Sequence, residues 1–552
     1  MCYFQLSLLH LTIPFPNTEV CHALKSITHS LLPNVRLIGS KVSTFNTEDF
    51  CYLLCRFRST PHALRLSINI NVLNMAEFRL STLDQAAPRI HLRYALCFTC
   101  NNRDSTVITE RLQRAVKSLV SEVPMLAGTV TTNDQQKPAS VMVASEQVEE
   151  FAPTIRYLQG HTRSYNNIRH GGFAPRDIEG IHLTPLANLP EENHSLSCAI
   201  QANFIDGGLI LVIYLHHAVA DINGVNTILR LMSEGLPSRK LYHDDLESEA
   251  IVVSRARSRL SQDDGAPAFL SLARDIYQRQ EQIRQQQDHH IHPDIRDDTA
   301  IIANNNRSGA PSYRSAIFIF KLDTLLQTTE MLNSRRTFRI DSPNSTIPTT
   351  DNLTPREVLI AILWRAYARA RLPPTHDNDA RTSISVPINL RPILNRPLNP
   401  YYLGNASLPA LATSPTLSLT TPYTLSTLFL TANIIHAAAS AKSSDLLTRS
   451  RISLLKSSTP ERDWIPRPQL VVHDWTCSLP MMMEGQDMDL GLGLGAPDAV
   501  RRTGRGLGSV GDEVVLLPVN KRTRTWEVQV EVEERVMRGL VRDGGLRGFL
   551  AL

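Results

Sequence analysis

The sequence predicts a two-domain mixed α/β protein, and three features carry that expectation. At 552 residues the chain exceeds the size at which a single hydrophobic core keeps growing. Strand-like apolar runs and helical stripes alternate in both of its halves. Between the halves, residues 236–312 are polar and rich in Arg, Gln and Asp, as a linker would be.

The organised chain starts at Met75. Residues 1–74 hold four of the eight cysteines, little acidic charge and no sustained period. They read as an extension, unstructured or upstream of the natural start; a small accessory domain is the alternative. The first half is 75–240. Its TVITERLQRAVKSLVSEVPMLAG stretch places Val107, Leu112, Val116, Leu119 and Val120 on one helical stripe, closed by Pro124 and Gly128. GLILVIYL at 208–215 has seven apolar residues in eight and predicts a strand buried on both faces. Val225, Ile228, Leu229 and Met232 mark the helix after it. Residues 241–312 form the linker or crossover.

The second half is 313–552. TPREVLIAILWRAYARARL at 354–372 is a capped helix, with Thr354 as N-cap, Pro355 at the first helical position and Glu357 completing a capping box. TWEVQVEVEERVMRGLVRD predicts a strand followed by a helix.

Composition excludes several classes. A formal charge of +4 and no basic stripe interleaved with aromatics argue against nucleic acid. No apolar run reaches the ~18 residues of a membrane span. The N-terminal MCYFQLSLLHLTIPFP lacks the positive start of a signal peptide. The cysteines fit reduced thiols of a cytoplasmic protein, and the Cys97–Cys100 pair lies on a strand pattern without a second ligand pair, so no metal is expected. HHIH at 289–292 sits in a Gln- and Asp-rich region and makes no metal site. GLGLG at 491–495 is not a nucleotide-binding glycine loop.

HxxxD occurs twice, as His217…Asp221 and His290…Asp294. With 18 histidines, spacing alone separates neither from chance, but context does. His290 lies in QQQDHHIHPDIRDD, where nothing would exclude water. His217 follows an all-apolar strand, where an interior meets a cleft and a neutral imidazole can take a proton near pH 7.

YLHHAVAD resembles the HHxxxD motif of the CoA-dependent acyltransferases called BAHD, in particular their fungal branch with the trichothecene acetyltransferases. Other pieces agree in order: LSTLDQ, VPMLAG, IDGGLILVIYLHH, the 354–372 helix, SVPINLRPILNRPLNPYYLGNAS and DLGLGLGAPDAVRR. The resemblance implies two chloramphenicol-acetyltransferase-like domains joined by a crossover, with the active-site channel between them. It implies an O-acyltransferase, with acetyl the expected group, acting on a hydroxyl of a small secondary metabolite with acyl-CoA as co-substrate. No bound cofactor is implied, and a monomer without membrane or nucleic-acid partners is expected.

His217 matches the catalytic base, Asp221 an orienting aspartate with Arg391 as its expected partner, and Trp475 the indole that would meet the oxyanion. Asp489, Gly491 and Gly493 match a structural motif. The chain departs from the family at Ile222 (usually Gly or Ala), at His473 and Asp474 (usually a Thr/Ser–Ser pair), and at Leu490 and Leu492 (aromatic). A β-branched Ile222 resists positive φ, so the turn either differs slightly or leaves this residue in an ordinary backbone region. Two further readings share the motif. One is a condensation-type enzyme using a carrier-bound donor; the other is an impaired relative that binds CoA esters without turnover.

Overall fold

The structure is a computed structural model that describes residues 75–131, 140–178, 183–184, 194–234, 312–337, 352–371, 380–392, 402–442, 468–476, 490–504 and 511–551. The 1–74 extension, almost all of the 241–312 linker, His290 with Asp294, and Asp489 lie outside these residues. By its contacts the chain divides into two units, and the described residues of Glu77–Val143 and those from Gln147 onward belong to the larger. That unit carries the main sheets and the His217–Asp221 segment.

The strands run β1 (Met75–Arg79), β2 (His91–Thr99), β3 (Thr129–Thr131), β4 (Ser140–Ala144), β5 (Thr154–Tyr157), β6 (His194–Leu196), β7 (Cys198–Ile205), β8 (Gly208–His216), β9 (Tyr313–Lys321), β10 (Arg381–Asn389), β11 (Ser407–Pro415), β12 (Leu470–Asp474), β13 (Ala499–Arg502), β14 (Asp512–Asn520) and β15 (Thr525–Glu533). Two large mixed sheets result, ordered β13-β2-β8-β7-β5 and β11-β10-β12-β14-β15-β9.

β8 lies between β2 and β7, antiparallel to both. Every residue of it is buried. Leu209, Leu211, Ile213 and Leu215 join a core with the helices Ser105–Glu122 and Ile222–Glu234, while Ile210, Val212 and Tyr214 meet Tyr165, Ile168 and Phe173 on the other face. Burial on both faces explains the unbroken apolar run. Within Ser105–Glu122 the buried stripe is Ile108, Leu112, Ala115, Val116, Leu119 and Val120. Val107, expected on that stripe, is 49% exposed; Ile108, next to it, is four residues before Leu112 and takes the inward position.

In the second sheet, alternation divides the faces. Leu470, Val472, Val514, Leu516, Val528 and Val530 pack under the helix Pro355–Arg371. Val515 and Leu517, facing the other way, belong to the core of the first sheet. The capping box starts that helix: Glu357 Oε2 accepts from Thr354 N (2.7 Å), and Glu357 N donates to Thr354 Oγ1 (3.3 Å).

The two sheets do not divide cleanly along the chain. β13, from the second half, pairs antiparallel with β2 at the edge of the first sheet. Asp498, just before it, accepts from Thr99 and from the Tyr165 hydroxyl (2.7 Å each). Arg501 is buried, donating to the Phe173 and Gly172 carbonyls and to Glu527 of β15. β13 therefore lies within 313–552 along the chain and hydrogen-bonds into the first sheet.

Candidate active site

β8 delivers His216 and then stops. The chain turns at once: Val219 N donates to His216 O (2.8 Å), and the helix Ile222–Glu234 begins five residues after His217. His217 is gripped by its main chain. Its N–H donates to Ile90 O (2.8 Å), and its carbonyl accepts from Asn405 Nδ2 (2.7 Å). Its Nδ1 is buried without a hydrogen-bond partner among the described residues. Burial is the main cause that lowers its pKa below the ordinary histidine value, so the ring is a neutral base near pH 7.

His216 is a different group. Its Nδ1 accepts from Ala218 N (3.1 Å), which leaves the proton on Nε2. Its ring meets His91 edge-on with centroids 5.2 Å apart. Burial, then the charges of His91, Arg89 and His217, hold its pKa down to about 3. Between pH 6.5 and about 3 the unfolded chain therefore binds the proton that the folded chain refuses, and stability falls as pH falls through that window. From this group alone, unfolding free energy is expected to drop by about 2 kcal/mol between pH 7 and pH 5, at about 1.4 kcal/mol per pH unit below 6.5. His216→Asn keeps an acceptor for Ala218 N–H and does not titrate, so denaturant curves at the two pH values should lie closer together than in the wild type.

Asp221 caps the helix Ile222–Glu234. Its Oδ1 accepts from Asn223 N (3.0 Å) and Gly224 N (3.1 Å). Arg391 approaches it end-on, with Nη2 2.8 Å from Oδ1 and Nη1 3.0 Å from Oδ2, and Ala406 N donates to Oδ2 (3.0 Å). Both residues are 2% exposed. Arg391 further donates to the carbonyls of Tyr402 (2.8 Å) and Gly404 (2.9 Å). The carboxylate is thus committed to five donors and joins three chain segments. Ile222, the first helical residue, has no positive φ.

Asn405 extends the same frame. It donates to Asp84 Oδ1 from both its N–H and Nδ2 (2.8 Å each), and Asp84 in turn caps its own short helix with Ser81. LSTLDQ and YLGNAS, the segments that carry these residues, therefore meet beneath His217. Spacing does not reveal this, but the motif ends do contain the residues. Sequence reasoning misses Gly224 as well. A Cβ there would lie 2.2 Å from Leu403 O and 2.5 Å from Ala220 Cβ. A backbone carbonyl cannot step aside, so Gly224→Ala is expected to cost about 1–3 kcal/mol as overpacking, seen as a lower melting temperature.

Trp475 is 3% exposed and packs on Tyr94, with centroids 5.1 Å apart. Leu490 and Leu492 are buried in the same core. Gly491 and Gly493 have φ of 73° and 75°, which lets Leu490 and Leu492 point inward from a tight turn, and Arg111 Nη1 donates to Leu492 O (3.0 Å). These residues pack the fold. Asp474 turns to Arg356, whereas His473 on the other face lies 3.7 Å from Glu513 through Nε2.

A second constellation has the spacing of a nucleophile, base and acid. Ser440 Oγ is 3.3 Å from His436 Nε2, and His436 Nδ1 is 2.9 Å from Glu357 Oε1. Ser440 lies within the helix Leu425–Lys442, where neighbouring N–H groups are spent on helical bonds and cannot receive an oxyanion. The contact ties one helix to the capping box of another.

Residues 90–235 match the trichothecene 3-O-acetyltransferase-like N-terminal domain, and residues 177–546 match the Transferase family. Eremophilane O-acetyltransferase prx11 of Penicillium rubens is 29% identical over 164 residues, 28% of this chain. That stretch, like the one shared with its Penicillium roqueforti counterpart, spans about a third (34%) of the relative's own length. Acyltransferase easC of Emericella nidulans is 23% identical over 487 residues, 84% of this chain and 93% of that one. The crystal structure of F. graminearum TRI101 with coenzyme A and deoxynivalenol superposes with a TM-score of 0.64 at 18% identity, covering 86% of this chain and 99% of that one; it shares the two-domain fold. With the Transferase match covering more than half of its residues, the chain belongs to the Transferase family, the BAHD-type acyltransferases.

Proposed function

We propose that the chain transfers an acyl group, most simply acetyl, from acyl-CoA to a hydroxyl of a small secondary metabolite, with His217 as general base. The observation that carries this is the neutral, desolvated imidazole at the end of β8, clamped through its main chain by Ile90 and Asn405. Proton removal by such a group is worth about 10²–10⁴-fold. The acceptor oxygen attacks the thioester carbonyl as its proton passes to His217, and the departing CoA thiolate takes that proton back. No acyl-enzyme is required. Asp221 stays out of the proton path, because both its oxygens are committed elsewhere. In this reading 75–240 and 313–552 are the two halves of a monomer joined by 241–312.

The relatives support the substrate class by what their names say of them: an eremophilane O-acetyltransferase, and a protein crystallised with coenzyme A and deoxynivalenol. No described helix is long and apolar enough to cross a membrane. The test is to incubate the full chain with acetyl-CoA and longer acyl-CoAs against hydroxylated sesquiterpenoids. CoA thiol release that depends on the acceptor, with a product heavier by one acyl group, is expected. Transfer only from carrier-protein thioesters would favour the condensation-type reading, and no transfer from any donor would overturn both.

A further inference from the structure

We propose that Asp84, in the short helix Thr82–Ala86, is a positioning residue for the base: through Asn405 its carboxylate fixes the main chain that aims the His217 ring. This rests on the proposed acyl transfer with His217 as its base.

The need for such a residue comes from the ring itself. His217 Nδ1 is buried and has no hydrogen-bond partner among the described residues. Asp221 spends both its oxygens on Arg391, Ala406 and the start of its own helix. Among these residues, then, no carboxylate steers the imidazole as the acid of a nucleophile–base–acid triad does. The ring takes its aim from the backbone that carries it. Two hydrogen bonds hold that backbone, one on each side of Cα: His217 N to Ile90 O (2.8 Å) and Asn405 Nδ2 to His217 O (2.7 Å). The first continues the β2–β8 pairing, since Ile90 leads directly into β2. The second comes from a side chain of the other half of the chain. An amide on rotatable bonds holds a carbonyl in place only if it is itself held.

Asp84 holds it, across 321 positions of sequence. Its Oδ1 accepts from Asn405 N and from Asn405 Nδ2, 2.8 Å each. Backbone and side chain of Asn405 are bound to one oxygen, so neither turns without breaking a bond. The Nδ2 group gives its other proton to His217 O. With a carboxylate and a carbonyl both facing that end of the amide, its nitrogen and not its oxygen must point there. Hydrogen bonds to a charged acceptor are also roughly twice as strong as neutral ones. The carboxylate is itself fixed. Asp84 is fully buried, its Oδ2 accepts from Ser81 N (2.9 Å), and its N donates to Ser81 Oγ (3.2 Å). Leu83, beside it, packs with Tyr402 and Ala406, which flank Asn405. Leu403 of the same segment sits in the first core with Ala218, Val219 and Ala220 from the turn after His217. The 402–406 segment is thus packed against both the short helix and that turn, and the place of one is passed to the other.

Asp84 takes no proton in this reading. It acts on the distance and angle between the imidazole and the acceptor hydroxyl, where a misplacement of about 1 Å costs about 10²-fold in rate. An amide at position 84 cannot substitute. It has one oxygen, so either Asn405 or Ser81 N–H would meet an NH₂ group, donor against donor.

The test measures kcat, KM for acyl-CoA and melting temperature, with rates taken well below each melting point. Wild-type transfer and its loss in His217→Ala are established first; a wild type that transfers nothing overturns this inference together with the proposed function. Asn405→Ala and Asp84→Asn should each lower kcat by about 10²-fold and leave KM for acyl-CoA nearly unchanged. Asp84→Ala should lower kcat in the same way, and it serves where the donor clash keeps Asp84→Asn from folding. The double variant Asp84→Ala/Asn405→Ala should be as slow as Asn405→Ala and no slower, because Asp84 acts through Asn405. Asp84 variants that melt early but turn over at the wild-type kcat, or a double variant slowed by both factors multiplied, overturn the inference and leave the proposed function standing. If neither Asp84 variant folds, Asn405→Ala decides: a lowered kcat with KM kept supports the inference, and a wild-type kcat overturns it.

Discussion

Replacing His217 with Ala should lower acyl-transfer kcat by about 10²–10⁴-fold, the range for removing a general base. The variant should fold. His217 is held through its own N–H and carbonyl, by Ile90 and Asn405, and both hydrogen bonds survive truncation at Cβ. The loss should therefore appear in kcat with KM for acyl-CoA nearly unchanged, since only the attack step uses the imidazole. His290→Ala is the control. It alters the other HxxxD in the chain and should leave the rate at the wild-type level. Equal losses from both substitutions, or full activity in His217→Ala, would remove the general-base assignment.

The difference between those two histidines is legible in the sequence because it is a difference of context. GLILVIYL can only be a strand buried on both faces, and a polar ring at its end is held by the protein interior. The capping box at Thr354 and Glu357 is equally legible, since it is a local contact between residues three apart. Long-range contacts are legible only where the family resemblance supplies them. Arg391 is expected beside Asp221, and the structure brings the two together across 170 positions. Nothing in the spacing pairs Asp84 with Asn405, or seats Gly224 against the Leu403 carbonyl, because those contacts depend on the closeness of two backbones. β13 is hidden for the same reason: four residues of the second half complete an edge of the first sheet, and hydropathy does not say which sheet a strand will join. His473 is visible as a departure from its family, while its partner Glu513 depends on the β12–β14 register.

Asp221→Ala should lower both melting temperature and activity. The substitution removes the cap of the helix Ile222–Glu234 and leaves Arg391, 2% exposed, without its carboxylate. Breaking a buried pair from one side costs about 3–5 kcal/mol, a large share of the roughly 5–15 kcal/mol that holds a domain folded. Activity falls for a geometric reason. Asp221 Oδ2 also holds Ala406 N, next to the Asn405 that grips the His217 carbonyl, so the frame under the base loosens. Asp221→Asn should be milder in both measurements, because its Oδ1 can still accept and its shape is kept. Arg391→Ala should resemble Asp221→Ala, since it strands a buried carboxylate and frees the Tyr402 and Gly404 carbonyls. The double variant should be little worse than either single one, as expected of two residues in one network. Thermal melts and kcat for the four proteins check this. If the Asp221 variants melt with the wild type yet lose activity with an altered pH–rate profile, the carboxylate acts on the His217 ring directly. If the double variant is as unstable as the two single losses added together, the two residues stabilise the fold independently and the bidentate pair is not what holds the turn.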